Sequence, residues 1–410
     1  MKTELLVKKF GGSSLANSER IDNAAKIIAE SYQSSKVCVV VSAMYGETER
    51  LNQLSQMGSE SGGRELAALL ATGEQVAASL LSMSLNRLGC PAQSFQGWQV
   101  PIRTGESYVN TSIEGVAVSK LNQVLTRGVV PVVTGFQGVN DDDEIAILHR
   151  GGSDTTAVAL ASSLGAEKCQ IYTDVEGVCG ADPAMVADVG VLKELSYEEM
   201  LDLSSLGSQV LQFNSVELAC KKSVTLQVLS SIKPGDGTYI VAEENLMSHP
   251  NIRAVAHHNE QAQIAIEDLP NEKGVAYKIL EPLGRAGVKI DMVIQSISSE
   301  ENKCSMSFTL SKQDCSDAMS VISPIVSSLG GVLSCRKDLA KLSVVGIGMK
   351  SRAGVVSSVL AVLAKDGINI EMMSTSEINI SMIIHAKYIE LGVRSLVEAY
   401  QLNRLDLMVS

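Results

Sequence analysis

Val7-Lys8-Lys9-Phe10-Gly11-Gly12-Ser13-Ser14 is the stretch on which the reading of this chain turns. A short apolar strand runs into a lysine and a Gly-Gly pair, and Ile21, Ala24, Ala25 and Ile28 then recur with helical spacing. Two glycines let the backbone pass close to a bulky anion. A helix N-terminus offers that anion N–H groups, and Lys9 adds a point charge. This is phosphate-site chemistry, although no GxxxxGKS/T loop occurs anywhere in the chain. A structural strand-to-helix turn with a solvated lysine explains the stretch equally well, so the surrounding sequence has to decide.

Outward from this turn, buried-type strands alternate with amphipathic helices up to about residue 240. Residues 37–42, 128–134, 168–174 and 224–229 read as strands, with helical patterns at 65–88 and 155–164. Strands buried on both faces with helices between them predict an α/β fold built on a mainly parallel sheet. Ligands of such sheets sit at the carboxyl ends of the strands. Four polar clusters fall there: Gly11-Gly12, Ser42-Ala43-Met44, Thr134-Gly135-Phe136 and Thr173-Asp174. Residues 1–240 therefore read as one domain, and the polar, strand-poor segment 241–262 as a linker. Beyond it, residues 263–298 align with 343–378 at an offset of 80. Gly274 matches Gly354, Leu283 matches Leu363, Gly287 matches Gly367, and Lys289-Ile-Asp-Met292 matches Asn369-Ile-Glu-Met372. With later strands at 304–310 and 378–385, the repeat predicts two small βαββαβ modules, 263–338 and 339–410.

The bulk composition agrees. A chain of 410 residues has room for two or three domains. It is 45% hydrophobic but only 4% aromatic, so Val, Ile, Leu and Ala must fill the cores. A net charge of −12 argues against nucleic acid or anionic membrane as partners. No apolar run reaches the ~18 residues of a membrane span, and the N-terminus lacks an apolar signal core, so the expected location is cytoplasmic. The eight cysteines form no CxxC pair and read as buried reduced thiols. His257 and His258 are adjacent in the expected linker and read as solvated, and no residue is assigned as a metal ligand.

Arg150-Gly-Gly-Ser-Asp154-Thr-Thr is the second constellation. An Ala/Val-rich helix follows, which would put Ser153 or Asp154 at its N-cap. The plain reading is a capped helix. The functional one is a pocket wall, in which Arg150 clamps a carboxylate with both guanidinium arms and Ser153 donates beside it. Glu74, early in a helical stretch, either complements the helix start or binds an ammonium. Arg150 and Glu74 together fit the two ends of an amino acid, although each alone has a plain structural explanation.

The motifs KFGGS, VSAMxxxT, TGEQ, GFQG, RGGSDTT, IYTDV and SLGSxVL, with the duplicated C-terminal module, resemble those of the aspartate kinases. Order and spacing are kept over essentially the whole chain, and the length resembles the short, monofunctional type. The resemblance implies an amino-acid-kinase three-layer sandwich followed by two ferredoxin-like ACT modules. It implies transfer of the γ-phosphoryl group of ATP to the β-carboxylate of L-aspartate. The product is 4-phospho-L-aspartate, in the first step of lysine, threonine and methionine biosynthesis. The attacking carboxylate is already ionised, so such an enzyme needs positioning and charge neutralisation rather than a general base. By resemblance, Lys9 would hold the transferring phosphoryl group beside Gly11, Gly12 and Ser13. Ser42, Thr48, Glu74, Phe136, Arg150, Ser153 and Asp154 would line the aspartate pocket. Asp154 would orient Lys9 or assist Mg²⁺, the expected phosphate partner, and Thr173 and Asp174 would meet the nucleotide.

The nucleotide side departs from the family pattern TDVDGVYTTDPR. The usual Tyr is Cys179 and the usual Arg is Ala184; Gln209, Asn214 and His149 replace a Lys, an Arg and a Gly. Losing two charge-assisted hydrogen bonds costs about 3–6 kcal/mol unless His149, Lys221 or Lys222 compensates. The alternatives are thus an active kinase with altered nucleotide binding, a catalytically weak sensor or regulatory subunit, and a kinase of another carboxylate such as glutamate. The paired modules argue against the last. The resemblance also implies feedback by lysine, threonine or both. The contacts would be Gly274, Val275, Ala276, Asp291, Met292 and Gln295, with Met373, Ser374, Thr375, Ser376 and Glu377 from the second copy. The bland alternative is that these residues only form core and turn. Sheet edges that need a partner imply a homodimer or an αβ-type assembly through the modules.

Overall fold

A computed structural model describes residues 4–57, 63–208, 210–246, 252–297, 302–349 and 354–403. The chain divides into two units, Met1–Cys179 with Val191–His249, and Gly180–Gly190 with Pro250–Ser410.

The first unit is built on an eight-stranded sheet. Its order is Glu194–Ser196, Thr238–Val241, Leu226–Ser230, Lys168–Thr173, Leu5–Phe10, Lys36–Val41, Val130–Thr134 and Ala92–Phe95. The one antiparallel pairing in this order is Leu226–Ser230 with Thr238–Val241, so Thr238–Val241 and Glu194–Ser196 run opposite to the other six strands. The central strands are apolar runs because both faces are covered: in Lys36–Val41 the last five residues are all buried. Val37, Val39 and Val41 join Phe10, Ile28 and Leu81 in one core with helices Ser18–Tyr32 and Gly63–Arg87. Alternate residues face the Ala-rich helix Gly152–Leu164. A smaller sheet of Ile113–Val116, Ile102–Thr104, Gln137–Val139 and Ile145–Ile147 completes the unit. Helix Gly63–Arg87 is long and apolar enough to cross a membrane by length and composition. It is a core helix here, and Glu74 lies buried near its middle rather than early in it.

The second unit carries one six-stranded sheet in the order Ile290–Ile297, Lys303–Ser311, Ala254–Pro270, Val332–Val345, Asn379–His385 and Ile370–Thr375. Two of these strands are long enough to serve both repeats. Ile264 pairs with Cys335 in the first module, whereas Val255 pairs with Val344 in the second. Residues 254–258, expected within a linker, are therefore the fourth strand of the second module. The second copy is not self-contained. Its own sequence supplies β-α-β-β-α, ending among the described residues at helix Ile389–Ala399 and a short turn. Val255 is buried in its core with Leu342, Val359, Leu363 and Met382. His257 is accordingly half-buried rather than solvated, 3.8 Å from Asp182, and burial lowers its pKa. The excursion Gly180–Gly190 was also not foreseen. Ala181, Met185, Val186 and Val189 pack into that same core, and Val255 donates its N–H to the Gly180 carbonyl at 2.7 Å.

Placing a carboxylate at Val255 tests this assignment. Val255→Asp should lower unfolding free energy by about 3 kcal/mol or more, because the charge is buried without a partner. Glu260→Ala, on the exposed part of the same strand, should stay within about 0.5 kcal/mol. Urea denaturation followed by circular dichroism distinguishes this from a solvated linker, for which both would be silent.

Candidate active site

Parallel register brings four strand ends to one edge of the large sheet. Lys9 lies beside Val40 and Ile171, and Val40 beside Val133. The loops that follow surround a cavity of about 890 Å³. Lys9, Gly12, Ser13, Ser42, Thr48, Glu74, Phe136, Arg150, Ser153, Asp154 and Asp174 all line it. Of the expected site residues in this unit, only Gly11 and Thr173 stand behind the wall. Gly11 donates its N–H to the Tyr172 carbonyl at 3.2 Å, and the Thr173 hydroxyl donates to Asp174 Oδ1 at 3.1 Å.

Strand alternation sends the two lysines to opposite faces. Lys9 Nζ meets Asp154 Oδ1 at 2.5 Å, with both side chains largely shielded. Lys8 is buried on the other face, where Nζ donates to the Tyr172 hydroxyl at 2.8 Å. Burial lowers its pKa to about 8. The helix carrying the Ile21, Ala24, Ala25 and Ile28 spacing does not start at the glycines. A tight 3₁₀ turn, Gly12–Leu15, comes first, and the α-helix starts at Ser18 under an Asn17 cap. The backbone beside Lys9 is therefore that of a turn, and the α-helix N-terminus is not part of the site.

Two glycines set the far wall. A Cβ on Gly135 would lie 2.7 Å from the Ser153 side chain, so this strand end and the helix start pack as closely as they do only with glycine there. Phe136 follows at φ +65°, a left-handed conformation uncommon outside glycine. Gly151, also left-handed, is the N-cap of helix Gly152–Leu164. Ser153 and Asp154 are consequently not caps. They sit inside the first turn, which frees the Asp154 carboxylate to reach Lys9.

Glu74 is the most unusual group in the cavity. It is 3% exposed. Its Oε1 accepts from the Ala43 N–H at 3.0 Å, while Oε2 is buried with no hydrogen-bond partner among the described residues. Burial pushes its pKa up to about 8. An isolated buried carboxyl is costly, and an incoming cation would relieve that cost. Tyr45, Asn52 and Asn110 also line the cavity and were missed. Asn110 had a legible signal, since Asn adopts the left-handed backbone it shows here at φ +55° more readily than other side chains. Tyr45 and Asn52 had none.

On the departing nucleotide side, Cys179 bridges to Val191 and is half-buried. Ala184, Asn214 and His149 are exposed, and Lys221 is engaged by Glu217 at 2.8 Å. Gln209 lies outside the described residues. In the second unit, Val275 and Met292 are buried, Met292 in a cluster with Leu339, Met372 and Ile383. That cluster draws the equivalent methionines of the two repeats together. Both oxygens of Asp291 accept from Lys341 Nζ, at 2.8 and 2.7 Å. Gly274, Gln295, Met373, Ser374, Thr375, Ser376 and Glu377 are exposed, and Ala276 is half-buried.

Comparison with known proteins decides the family. An aspartate kinase of Stutzerimonas stutzeri is 43% identical over 403 residues, 97% of this chain and 98% of the relative. The chain belongs to the aspartate kinase family. The amino acid kinase family model matches residues 4–230, and the ACT domain model matches 265–324 and 342–400. The crystal structure of an aspartate kinase from Synechocystis is 36% identical, with a TM-score of 0.55, covering 97% of this chain and 69% of that one. An aspartate kinase structure from Clostridium acetobutylicum superposes with a TM-score of 0.82 at 21% identity, covering 96% of this chain and all of that one, which bears on the fold alone.

The raised pKa of Glu74 has a signed consequence for stability. Its folded value of about 8 exceeds the ordinary 4.5. The folded state therefore holds this proton more tightly, a contribution fully present below about pH 4.5 and lost as pH rises through about 8. Scanning calorimetry of the ligand-free protein should show the melting temperature of Glu74→Gln gaining on that of the parent between pH 6 and 9. A constant difference across that range would refute the assignment.

Proposed function

We infer that this chain is an aspartate kinase that transfers the γ-phosphoryl group of ATP to the β-carboxylate of L-aspartate. The observation that carries the reading is one cavity holding both the Lys9–Asp154 pair and the buried, half-satisfied carboxyl of Glu74. Glu74 takes the substrate ammonium, and Arg150 at the exposed rim takes a carboxylate. Binding the ammonium stabilises ionised Glu74, so it expels a proton near neutral pH. Ser42, Thr48, Phe136 and Ser153 fill the space between. Lys9, held by Asp154, neutralises charge on the phosphoryl group as it crosses to the β-carboxylate. The 11–13 turn and Asp174, backed by Thr173, face the nucleotide.

Mg²⁺ fits the donor set as a companion of the nucleotide. Among the described residues no cluster of three metal-ligating side chains occurs. Asp174 and Asp154, which both line the cavity, would hold such an ion, which needs only one or two carboxylates beside phosphate oxygens. The ion supplies charge neutralisation at the phosphates. Relatives so similar over the whole length are named aspartate kinases, which weighs against the sensor reading despite Cys179 and Ala184. The second unit is the regulatory one. It takes lysine or threonine at Gly274, Asp291 and the exposed 373–377 edge, and it pairs with a second subunit. The location is the cytoplasm.

Hydroxamate formation from aspartate, Mg-ATP and hydroxylamine tests the reaction. Lys9→Ala should lose on the order of 10²–10³ in kcat. Glu74→Gln should instead raise KM for aspartate by on the order of 10², the cost of leaving a buried charge unpaired. No hydroxamate from the parent at millimolar ATP, with aspartate still raising its melting temperature, would favour the sensor. In the same assay lysine, threonine or their mixture should inhibit the parent, and no response to any of them would remove the regulatory reading.

A further inference from the structure

We propose that Ser231 and Ser14 are positioning residues that set the spacing between the glycine turn and the Thr173-Asp174 corner, and so act on nucleotide affinity. The inference rests on the reading that these two elements meet ATP. Both serines are buried, at 3% and 1% exposure. The Ser14 hydroxyl donates to Ser231 Oγ at 2.7 Å, and the Ser231 hydroxyl donates to the Thr173 carbonyl at 3.0 Å. The Ser231 N–H reaches the same carbonyl at 2.8 Å. Asn23 Nδ2 holds the Ser231 carbonyl from helix Ser18–Tyr32 at 2.5 Å.

The strands before the two serines, Leu5–Phe10 and Leu226–Ser230, do not pair with each other, because Lys168–Thr173 lies between them. Their continuations converge over the end of that middle strand, where the two hydroxyls join them beside the Asn23–Ser231 bond. From Thr173 the chain of contacts runs on through its own hydroxyl to Asp174, which lines the cavity. Polar groups in so buried a place are unfavourable unless bonded, and a pair of apolar residues would pack without that requirement. A hydroxyl pair does what an apolar pair does not: it fixes distance and direction between two loops. Asp154 and Glu74 stand on other elements, so the aspartate side does not depend on it.

The test uses the full-length protein with Ser231→Ala, Ser14→Ala, the double variant and Ser231→Thr. Each alanine variant should raise KM for ATP about five-fold, the worth of one hydrogen bond. KM for aspartate should stay unchanged at saturating ATP. The double variant should be no worse than Ser231→Ala, which already removes the shared bond along with the one to the Thr173 carbonyl, and Ser231→Thr should restore the parent value. ATP affinity by calorimetry should follow the same pattern without turnover. Additive effects, an equal rise in both KM values, or an unchanged KM for ATP would overturn the proposal. Asp174→Asn separates the two layers. If it weakens ATP binding while Ser231→Ala does not, only the positioning role fails. If neither does, the nucleotide reading beneath it fails as well.

Discussion

The parallel register of the central strands is the constraint on which the site depends. Lys9, Val40, Val133 and Ile171 stand level across four neighbouring strands, so the chain leaves the sheet four times at one edge. Those exits are where backbone is no longer committed to ladder bonds. Short glycine-bearing turns can fold tightly there. The same register decides which lysine reaches the cavity, because a shift of one residue would exchange Lys9 for Lys8. Lys8 in its actual place is a buried amine tied to Tyr172, whose ring stacks on Phe10 at 4.6 Å.

Charge burial then divides the cavity into two kinds of group. Lys9 and Asp154 neutralise each other and are poised without ligand. Glu74 is left incomplete, buried in the cavity wall and held by one backbone N–H. A core helix that tolerates a mid-length carboxyl with a pKa near 8 gives up stability at neutral pH. The natural compensation is a cationic ligand.

The regulatory unit shows a different use of length. Strands Ala254–Pro270 and Val332–Val345 each run through both modules, so the two repeats share a sheet instead of each closing one of its own. The fourth strand of the second module precedes the first module in sequence. Unfolding one half therefore strips a ladder from the other, and the two modules are expected to melt together.

Much of this was legible in the chain. Apolar runs with helical intervals gave the α/β unit, and the offset repeat gave the paired modules. The polar ends of the strands marked Gly12, Ser42, Phe136 and Asp174 of the cavity wall, whereas Thr48, Glu74, Arg150, Ser153 and Asp154 lie on other motifs and came with the family resemblance. What could not be read has a common cause. The role of 254–258 depends on a partner almost ninety residues away, and that of 180–190 on packing against strands and helices later in the chain. The Ser14–Ser231 bond spans 217 positions. The capping of helix Gly152–Leu164 by Gly151 turned on a backbone angle that composition does not fix. Local sequence determines which segments become strands and helices, and where chemistry-bearing side chains interrupt them, because periodicity and turn preference act over a few residues. Which buried carboxyl keeps a partner, and which strand completes a distant sheet, are settled only when the chain is packed, because burial and pairing are properties of neighbours brought together from far along it.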